Sequence, residues 1–582
     1  MVYQHLSRKD VNYNGGVYGD GSPGVPGDPS APAGFNGPPI GIDARLTNAP
    51  SPALADYDSD MIQALVDWAF HGQRLSYTGG YNQDKSYNPL CIPENILPFP
   101  CFPQINNSTE KDWTHELRLT SAEPLFGHLD YTLGFFYNQT KVPTTVSLPP
   151  TFLPGAFGSP LSPPVPGVPN YSYAVQGVLT TIPNQVRENA LYSSLTYHLD
   201  QKTELTRGVR WSAYMHSQTA DINFAPGLDA LPVPGVVCGA IGGKFAATYP
   251  GICDLPVSVA PFHSVISAEP HTVLYNVELS HRFNDDVMLY FKTGTGFRAS
   301  NLDIALAVST TNPALSQYLN LANEKSTSYE VGSKFDFFDK RLMFDIDYYH
   351  QIYSNYFYNT QPAYFLDVNG PSTSVSTLSF TTNVPAVVDG IELTTNARIT
   401  KDWSISGSFS WADGRLSNAT IPCNSSKFDG VVDNIAPTVA QFQAAGQSVA
   451  LCKSDASTTT APPWNFTVQS EYDHPINGDL DGFLRGLVYY YARNPNASLN
   501  YVVPGYGIVD LFAGLRGESA KWELSLYVKN LLRNQTATSI GATDTWANGL
   551  SSFFGPNTGY YSVTLPPPRQ FGVTLRYAFG SH

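Results

Sequence analysis

Hydrophobic and polar residues alternate one by one along several long segments of this chain. In residues 287–298, one parity carries Val287, Leu289 and Phe291, and the other carries Tyr290, Lys292, Gly294, Gly296 and Arg298. Because successive side chains of a β-strand point to opposite faces, this pattern predicts a strand with one apolar and one polar face. The preceding residues 273–282 alternate in the same way, and a short turn at residues 284–286 joins the two segments. We therefore predict a hairpin of long strands.

Carboxylates occupy the polar face of another predicted strand. Leu342, Phe344, Ile346 and Tyr348 alternate with Met343, Asp345, Asp347 and Tyr349. Burying Asp345 and Asp347 in a protein core would cost free energy unless they were paired, whereas a water-filled lumen leaves them hydrated. Residues 570–579 repeat the alternation over a length that can span a membrane. The pattern predicts an all-β fold, a transmembrane antiparallel β-barrel with lipid on the apolar side.

Short and long connections alternate between these segments. About 18 segments are joined by short turns near residues 71, 126, 201, 285, 339, 401, 478 and 519 and by longer loops between them. Short turns on one side and long loops on the other are typical of outer-membrane barrels, whose long loops face outside. A soluble β-sandwich or propeller would also alternate, but its strands are shorter and its connections show no such asymmetry.

Composition supports a membrane protein and argues against a nucleic-acid partner. Charged residues make up 14% of the 582 residues, below the roughly 25% of typical soluble domains. The formal net charge is −15, whereas a protein that binds nucleic acid needs Lys and Arg to neutralise phosphates. Residues 1–8 do not resemble a signal peptide. Since a barrel destined for an outer membrane needs one, we expect this chain to be a mature portion or a fragment.

The six cysteines fall into three pairs, each inside one loop-like stretch rich in Pro, Gly, Asn or Ser. The pairs are Cys91 with Cys101, Cys238 with Cys253, and Cys423 with Cys452. This spacing predicts three local disulfides formed in an oxidising compartment. Unrelated buried thiols are the alternative, but free cysteines usually have apolar surroundings, and metal binding is disfavoured because no C-x-x-C motif occurs.

A series of short motifs resembles the C-terminal barrel of TonB-dependent outer-membrane receptors. In chain order they are residues 116–121 (ELRLTS), 133–137 (LGFFY), 190–197 (ALYSSLTY), 208–211 (GVRW), 296–302 (GFRASNL), 329–334 (YEVGSK), 388–393 (VDGIEL), 506–510 (YGIVD), 528–532 (VKNLL) and 576–579 (RYAF). Each motif alone is a weak signal. Their order over most of the chain is a strong signal, so we expect residues 1–582 to form a barrel of this kind.

The resemblance implies active import of a large, scarce nutrient across the outer membrane of a Gram-negative bacterium. It implies that the TonB–ExbB–ExbD complex supplies the energy and that a ferric siderophore is the commonest cargo.

Family barrels have about 22 strands and a plug that fills the lumen, whereas this sequence provides about 18 strands and no plug. We therefore expect that the N-terminal plug domain and about four strands are missing. The alternative is a passive porin-type channel, which an 18-stranded barrel could also form.

The resemblance places ligand contacts on the lumen wall near the outer rim. On this chain the substrate-binding candidates are Arg298, Asn301, Tyr349, Gln351 and Tyr353. Arg298 could bind an anionic ferric chelate, or it could instead pair with a lumenal carboxylate. We predict no catalytic residues, metal site or cofactor, because the sequence contains no G-x-S-x-G, HExxH or phosphate-binding glycine loop.

Overall fold

A computed structural model describes most of the chain as β-structure. The described residues are 1–12, 16–19, 40–46, 53–92, 102–148, 151–154, 171–175, 178–224, 262–300, 312–319, 321–369, 372–433, 435–496, 501–517, 521–544 and 560–578. In this part of the chain, no helix has both the length and the apolar character needed to cross a membrane.

The described elements comprise 28 strands and two short helices. In chain order the strands are β1 (Val2–Asn12), β2 (Gly16–Gly19), β3 (Ala53–Phe70), β4 (Gln73–Ile92), β5 (Phe102–Ser121), β6 (Leu129–Leu148), β7 (Thr151–Pro154), β8 (Tyr171–Val175), β9 (Val178–His198), β10 (Thr203–Phe224), β11 (Phe262–Ala268), β12 (His271–Asn284), β13 (Val287–Arg298), β14 (Glu324–Phe337), β15 (Leu342–Asn359), β16 (Ala363–Asn369), β17 (Ser372–Leu378), β18 (Thr381–Arg398), β19 (Trp403–Leu416), β20 (Ala419–Cys423), β21 (Ala450–Ser454), β22 (Trp464–Asn477), β23 (Leu480–Tyr491), β24 (Tyr506–Gly517), β25 (Trp522–Lys529), β26 (Ser539–Asp544), β27 (Tyr560–Thr564) and β28 (Gln570–Tyr577). The helices are a 3-10 helix, η1 (Pro313–Tyr318), and an α-helix, α1 (Val439–Ala445).

Nineteen of the strands form one antiparallel sheet. Their ladders join neighbours in chain order from β1 through β3, β4, β5, β6, β9 and onward to β28. Because β11 and β12 both pair with β10, one after the other, the sheet has 18 strand positions. This arrangement confirms the predicted antiparallel β-barrel of about 18 strands, and the short turns lie where the sequence predicted them.

The two faces of the sheet differ as the alternation predicted. One parity carries exposed apolar side chains, among them Leu289, Phe291, Val331 and Ile346. Soluble monomers rarely expose apolar surface of this extent, so this outward face is the lipid-facing one. The other parity carries the charged residues of the lumen wall, such as Asp347, which lies opposite Glu392.

The sheet has a seam between its first and last strands. Within the described residues, none of the ladders runs between β1 and β28. The outward side chains of β28 are strongly exposed, with 73% of Phe571 and 72% of Leu575 accessible. Strand β1 pairs only with the part of β3 that lies farther from the short turn, since Val2 lies opposite Gln63 and residues 64–70 extend beyond it.

Three long loops pack together above the lumen wall into a unit that we call the rim cap. Its apolar core joins η1, the β16–β17 hairpin and the loop before β21, and consists of Leu315, Tyr318, Ala363, Phe365, Phe380 and Val449. Asn312 ties the first loop to the second, because its side-chain amide donates to the Leu366 carbonyl at 2.7 Å. The rim cap therefore has a packed core of its own.

A disulfide and a capped helix order the third loop of the rim cap. Cys423 and Cys452 are bonded, with their Cα atoms 5.8 Å apart, which confirms one of the predicted pairs. Helix α1 begins with a capping box between Thr438 and Gln441. The other two predicted pairs lie outside the residues whose side chains the structure describes.

Candidate functional site

The lumen wall is lined with ion pairs. Several arginines of the wall are paired with carboxylates on the same strand or at most two strands away: Arg118 with Glu116, Arg210 with Glu188, Arg298 with Glu324, and Arg485 and Arg516 with Glu471. A carboxylate beside each guanidinium reduces the net positive charge that the wall offers to a ligand.

Tyrosine rings lie flat against glycines of the adjacent strand at four places on the lumen wall. In each pair the two residues are direct cross-strand partners, and a side chain at the glycine would collide with the ring: Tyr192 on Gly134, Tyr290 on Gly332, Tyr349 on Gly390 and Tyr527 on Gly572. Glycine is needed at these positions because only a bare backbone leaves room for the ring. Tyr349, a predicted ligand contact, is therefore packed against the wall.

A bulge in β15 gathers several tyrosines on the lumen side near the outer rim. The register of β15 against β18 shifts between Tyr353 and Tyr356, and Asn355 within the bulge has a φ of 58°. Since a bulge adds a residue to one strand, Tyr353 and Tyr356 both lie on the lumen face. Their rings are 5.5 Å apart in an edge-to-face arrangement.

These tyrosines rest on an apolar patch and together form what we call the rim cluster. Tyr353, Tyr356 and Tyr358 pack against the buried residues Val384, Ala386, Leu416 and Ala419. The Tyr353 hydroxyl donates to Gln351 Oε1 at 2.8 Å, so two of the predicted contacts touch each other. The Tyr356 hydroxyl donates to the Thr458 carbonyl at 3.0 Å, so the cluster offers mainly aromatic rings, which suits a ligand that carries rings.

Arg298 lies beside the rim cluster and is engaged with a carboxylate. Its guanidinium donates to Glu324 Oε2 at 2.5 Å and lies 4.5 Å from the centre of the Phe357 ring. Glu324 also accepts a hydrogen bond from the Phe357 amide at 2.9 Å, and its side chain is only 11% exposed. Because 55% of the Arg298 side chain remains exposed, the guanidinium can still meet a ligand from the lumen side. Asn301 lies outside the described residues.

Sequence reasoning missed Glu324 and Tyr356. Glu324 is the first residue of β14, where no alternation precedes it, so its pairing with Arg298 across the β13–β14 ladder was not visible. Tyr356 was not among the candidates, because a bulge has no reliable sequence signal apart from a residue that tolerates a positive φ, here Asn355.

The cavities of the lumen wall lie away from these residues. Two depressions of about 370 and 320 Å³ sit at the short-turn end and are lined by Arg341, Met343 and Asn396 and by their neighbours. Neither is lined by a tyrosine of the rim cluster. Among the described residues, no group of three or more His, Cys, Asp or Glu could hold a metal ion.

A family model identifies the chain. The model for the TonB-dependent receptor-like β-barrel matches residues 3–531, so the chain belongs to that family. No match was found among curated protein sequences.

Solved structures of siderophore receptors share the fold at low sequence identity. The ferric yersiniabactin uptake receptor FyuA of Yersinia pestis is 14% identical, with a TM-score of 0.60 over 92% of this chain and 64% of its own. The ferric-catecholate import receptor Fiu of E. coli K12 is 15% identical, with a TM-score of 0.61 over 98% and 71%. The ferripyoverdine receptor of the outer membrane of Pseudomonas aeruginosa is 13% identical, with a TM-score of 0.58 over 99% and 61%. The chain thus spans under two thirds of the first and third of these proteins.

Proposed function

We propose that this chain is the membrane-spanning part of a receptor that imports a large nutrient across the outer membrane of a Gram-negative bacterium. The match of the family model to residues 3–531 carries this proposal. The TonB–ExbB–ExbD complex would supply the energy, and a ferric siderophore is the proposed cargo. FyuA and Fiu, receptors for ferric yersiniabactin and ferric catecholates, share the fold of this chain, and this likeness supports that cargo.

The rim cluster supports a cargo that carries aromatic groups. Tyr353, Tyr356 and Tyr358 offer ring surfaces at the outer end of the lumen, and the exposed part of Arg298 adds a positive charge beside them. Aromatic rings pack against tyrosine in edge-to-face and offset geometries, and a guanidinium forms charge-assisted hydrogen bonds with anionic oxygens. A ferric chelate built from aromatic oxygen ligands would meet both requirements.

Arg298→Ala in the full-length receptor is expected to weaken binding of an anionic ferric chelate by about 1–3 kcal/mol, the scale of a lost charge-assisted contact. Glu324→Gln should act in the opposite direction. It removes the charge that competes for the Arg298 guanidinium, and it keeps an oxygen for the Phe357 amide. Titration calorimetry with a panel of ferric siderophores measures both effects.

Arg415→Ala serves as the control for that titration. Arg415 pairs with Asp413 at 2.7 Å on an exposed part of β19 whose parity faces away from the lumen. Its removal should leave affinity unchanged. Unchanged affinity in Arg298→Ala as well would remove Arg298 from the binding site without affecting the assignment to the family.

We also propose that the seam between β1 and β28 is completed by strands of the same protein outside this chain and that a plug domain occupies the lumen. Within the described residues, the ladder of β28 is to β25 and that of β1 is to β3, so each keeps one edge without a ladder, which supports this proposal. Barrels of 22 strands in outer-membrane transporters have a plugged lumen.

Hydrogen exchange tests the seam. The amides on the free edge of β28 should be protected in the full-length protein and unprotected in this chain alone. Equal exchange in both would contradict the proposal.

A passive porin-type channel is the second candidate, and the 18 strand positions of the sheet favour it. Barrels of 16 to 18 strands leave an aqueous channel when nothing fills them. The two functions differ in ion conduction. The full-length product should conduct steadily in a planar bilayer if it is a porin, and it should remain closed if a plug fills the lumen.

A further inference from the structure

Aromatic side chains follow one another down the lumen wall on β23, β24 and β25. Tyr489 and Tyr491 of β23 lie on the lumen face, because they share the parity of Arg485, which pairs with the lumenal Glu471. Tyr491 lies opposite Tyr506 of β24, and the centres of their two rings are 5.0 Å apart. The outer ends of these strands therefore carry three tyrosines on the lumen side.

The row of apolar side chains continues inward on the same parity. Leu487 is next on β23, and Phe512 of β24 is its diagonal neighbour, since Leu487 lies opposite Asp510. Phe512 lies opposite Tyr527 of β25, with their ring centres 6.0 Å apart. Direct and diagonal cross-strand neighbours of this size interact with each other. They form one continuous surface, which we call the aromatic column and which consists of Tyr506, Tyr491, Tyr489, Leu487, Phe512 and Tyr527.

The aromatic column begins at the depth of the rim cluster and runs inward from there. Tyr506 and Tyr353 are each eleven residues from the short-turn ends of their strands, Gly517 and Leu342. Phe512 is only five residues from Gly517. A strand tilted by roughly 40° rises about 2.5 Å per residue along the membrane normal, so the column spans about 15 Å of depth. Cargo that leaves the rim cluster toward the periplasm therefore enters the depth range of the column.

A cation without an ion-pair partner lies beside the inner half of the aromatic column. Lys529 of β25 lies two residues from Tyr527 on the same face, and its ammonium is 5.4 Å from the centre of that ring. Among the described residues, no carboxylate forms an ion pair with Lys529, in contrast to the arginine pairs of the wall. An ammonium forms charge-assisted hydrogen bonds with anionic oxygens. The column therefore repeats, at greater depth, the combination of aromatic rings and a cation found at the rim cluster.

Carboxylates make the wall formed by β14, β15 and β18 unfavourable for an anionic cargo. Glu330, Asp347 and Glu392 lie on the lumen face five to seven residues from the short-turn ends of their strands, level with the inner half of the column. Asp347 lies opposite Glu392, while Glu330 has Lys292 at 3.7 Å. At this depth, an anion is repelled by the three carboxylates and attracted by Lys529 on the other wall.

We propose that the aromatic column is the side of the lumen along which a cargo with aromatic rings and negative charge moves from the rim cluster toward the periplasm. The inference rests on the import function proposed above and concerns the transport step, not the binding step. Passage requires contacts that are favourable enough to admit the ligand and weak enough to release it. Successive rings supply such contacts, since a flat group can pack against one ring after another. The plug would have to leave β23, β24 and β25 uncovered while cargo passes.

Uptake and binding are measured separately in cells that express the full-length receptor. The probes are radiolabelled iron complexes of a panel of catecholate siderophores. Uptake at saturating probe is measured with an active TonB–ExbB–ExbD complex and normalised to the amount of folded receptor, and binding is measured in cells with inactivated TonB. We expect Tyr489→Thr/Phe512→Thr to lower the uptake rate about fivefold or more, because two rings of the column are lost. Its binding affinity should stay close to that of the wild type, because the rim cluster and Arg298 are unchanged.

Two further variants separate a transport route from a general defect. Tyr489→Phe/Phe512→Tyr keeps both rings and should transport at nearly the wild-type rate. Phe136→Thr is the matched control, because Phe136 lies opposite the lumenal Glu116, seven residues above the short-turn end of β6 and outside the column. Its loss should leave the uptake rate unchanged.

The outcomes distinguish the route from the import function. An unchanged rate in Tyr489→Thr/Phe512→Thr, an equal loss in Phe136→Thr, or a loss of affinity as large as the loss of rate would overturn the route. Each of these results leaves the proposed function in place when the wild type takes up a probe only with active TonB. If the wild type takes up none of the probes, or takes them up without TonB, the proposed function and its cargo are contradicted, and the route with them.

Discussion

Arg516→Ala is expected to lower the free energy of unfolding of the barrel by about 3–5 kcal/mol, the range for removal of one partner of a buried ion pair. Arg516 joins three carboxylates on two other strands: Glu471 at 2.7 Å, Asp473 at 2.7 Å and Glu523 at 2.9 Å. Its side chain is only 18% exposed, and the guanidinium lies 4.1 Å from the centre of the Phe483 ring. Without it, three negative charges would face one another with Arg485 as their remaining arginine.

Equilibrium unfolding in urea, followed by tryptophan fluorescence in lipid vesicles, measures this change. Arg415→Ala is again the matched control, because the exposed pair of Arg415 and Asp413 should contribute less than about 1 kcal/mol. Arg516→Lys should fall between the wild type and Arg516→Ala, since an ammonium keeps the charge but cannot reach three carboxylates in a fixed geometry. A loss in Arg516→Ala no larger than that of the control would contradict the role assigned to this network.

Removing the disulfide between Cys423 and Cys452 is expected to destabilise the third loop of the rim cap by about 3–4 kcal/mol. The bond closes a loop with a sequence separation of 29 residues, and the chain-entropy relation gives this magnitude for that length. The effect should be local, because the barrel ladders β18–β19 and β19–β22 form independently of the bond. A Cys423→Ser/Cys452→Ser variant should therefore keep a folded barrel and lose protection within residues 423–452.

Limited proteolysis and hydrogen exchange of residues 423–452 measure that loss, with exchange in β22 and β23 as the internal control. Unchanged protection in the variant would show that packing alone orders the loop.

Two aspartates make the stability of the same loop depend on pH. The Ser426 hydroxyl and the Ile435 amide hold the pKa of Asp433 below its ordinary value of 3.8, and the Val431 amide and the Ser425 hydroxyl do the same for Asp429. Since a depressed pKa favours the folded loop only while the group is charged, this stabilisation is present above pH 3.8 and is lost as the pH falls below it.

The barrel could be predicted from the sequence because lipid and water impose opposite demands on the two faces of each strand. Asp345 and Asp347 alternate with Phe344 and Ile346, and a strand between lipid and a water-filled lumen accepts both sets of side chains. The turn positions followed from the same pattern, since the alternation stops at each one. The structure confirms the barrel strands and the turn positions.

The candidate site was only partly predictable, because its contacts join residues that are distant in sequence. Arg298 was identified from its parity, but its partner Glu324 lies 26 residues further along the chain. Tyr349 was identified as a lumenal side chain, whereas its packing on Gly390 depends on the β15–β18 register. The ligand-binding roles of Arg298, Tyr349, Gln351 and Tyr353 stay predictions, as does that of Asn301.

Uptake of a radiolabelled ferric siderophore by cells that express the full-length receptor tests the central claim most directly. The assay compares cells with an active TonB–ExbB–ExbD complex with otherwise identical cells in which TonB is inactivated, over a panel of siderophores. We predict that at least one siderophore is accumulated only in the cells with active TonB. Uptake that proceeds equally in both would contradict the account and establish a passive channel.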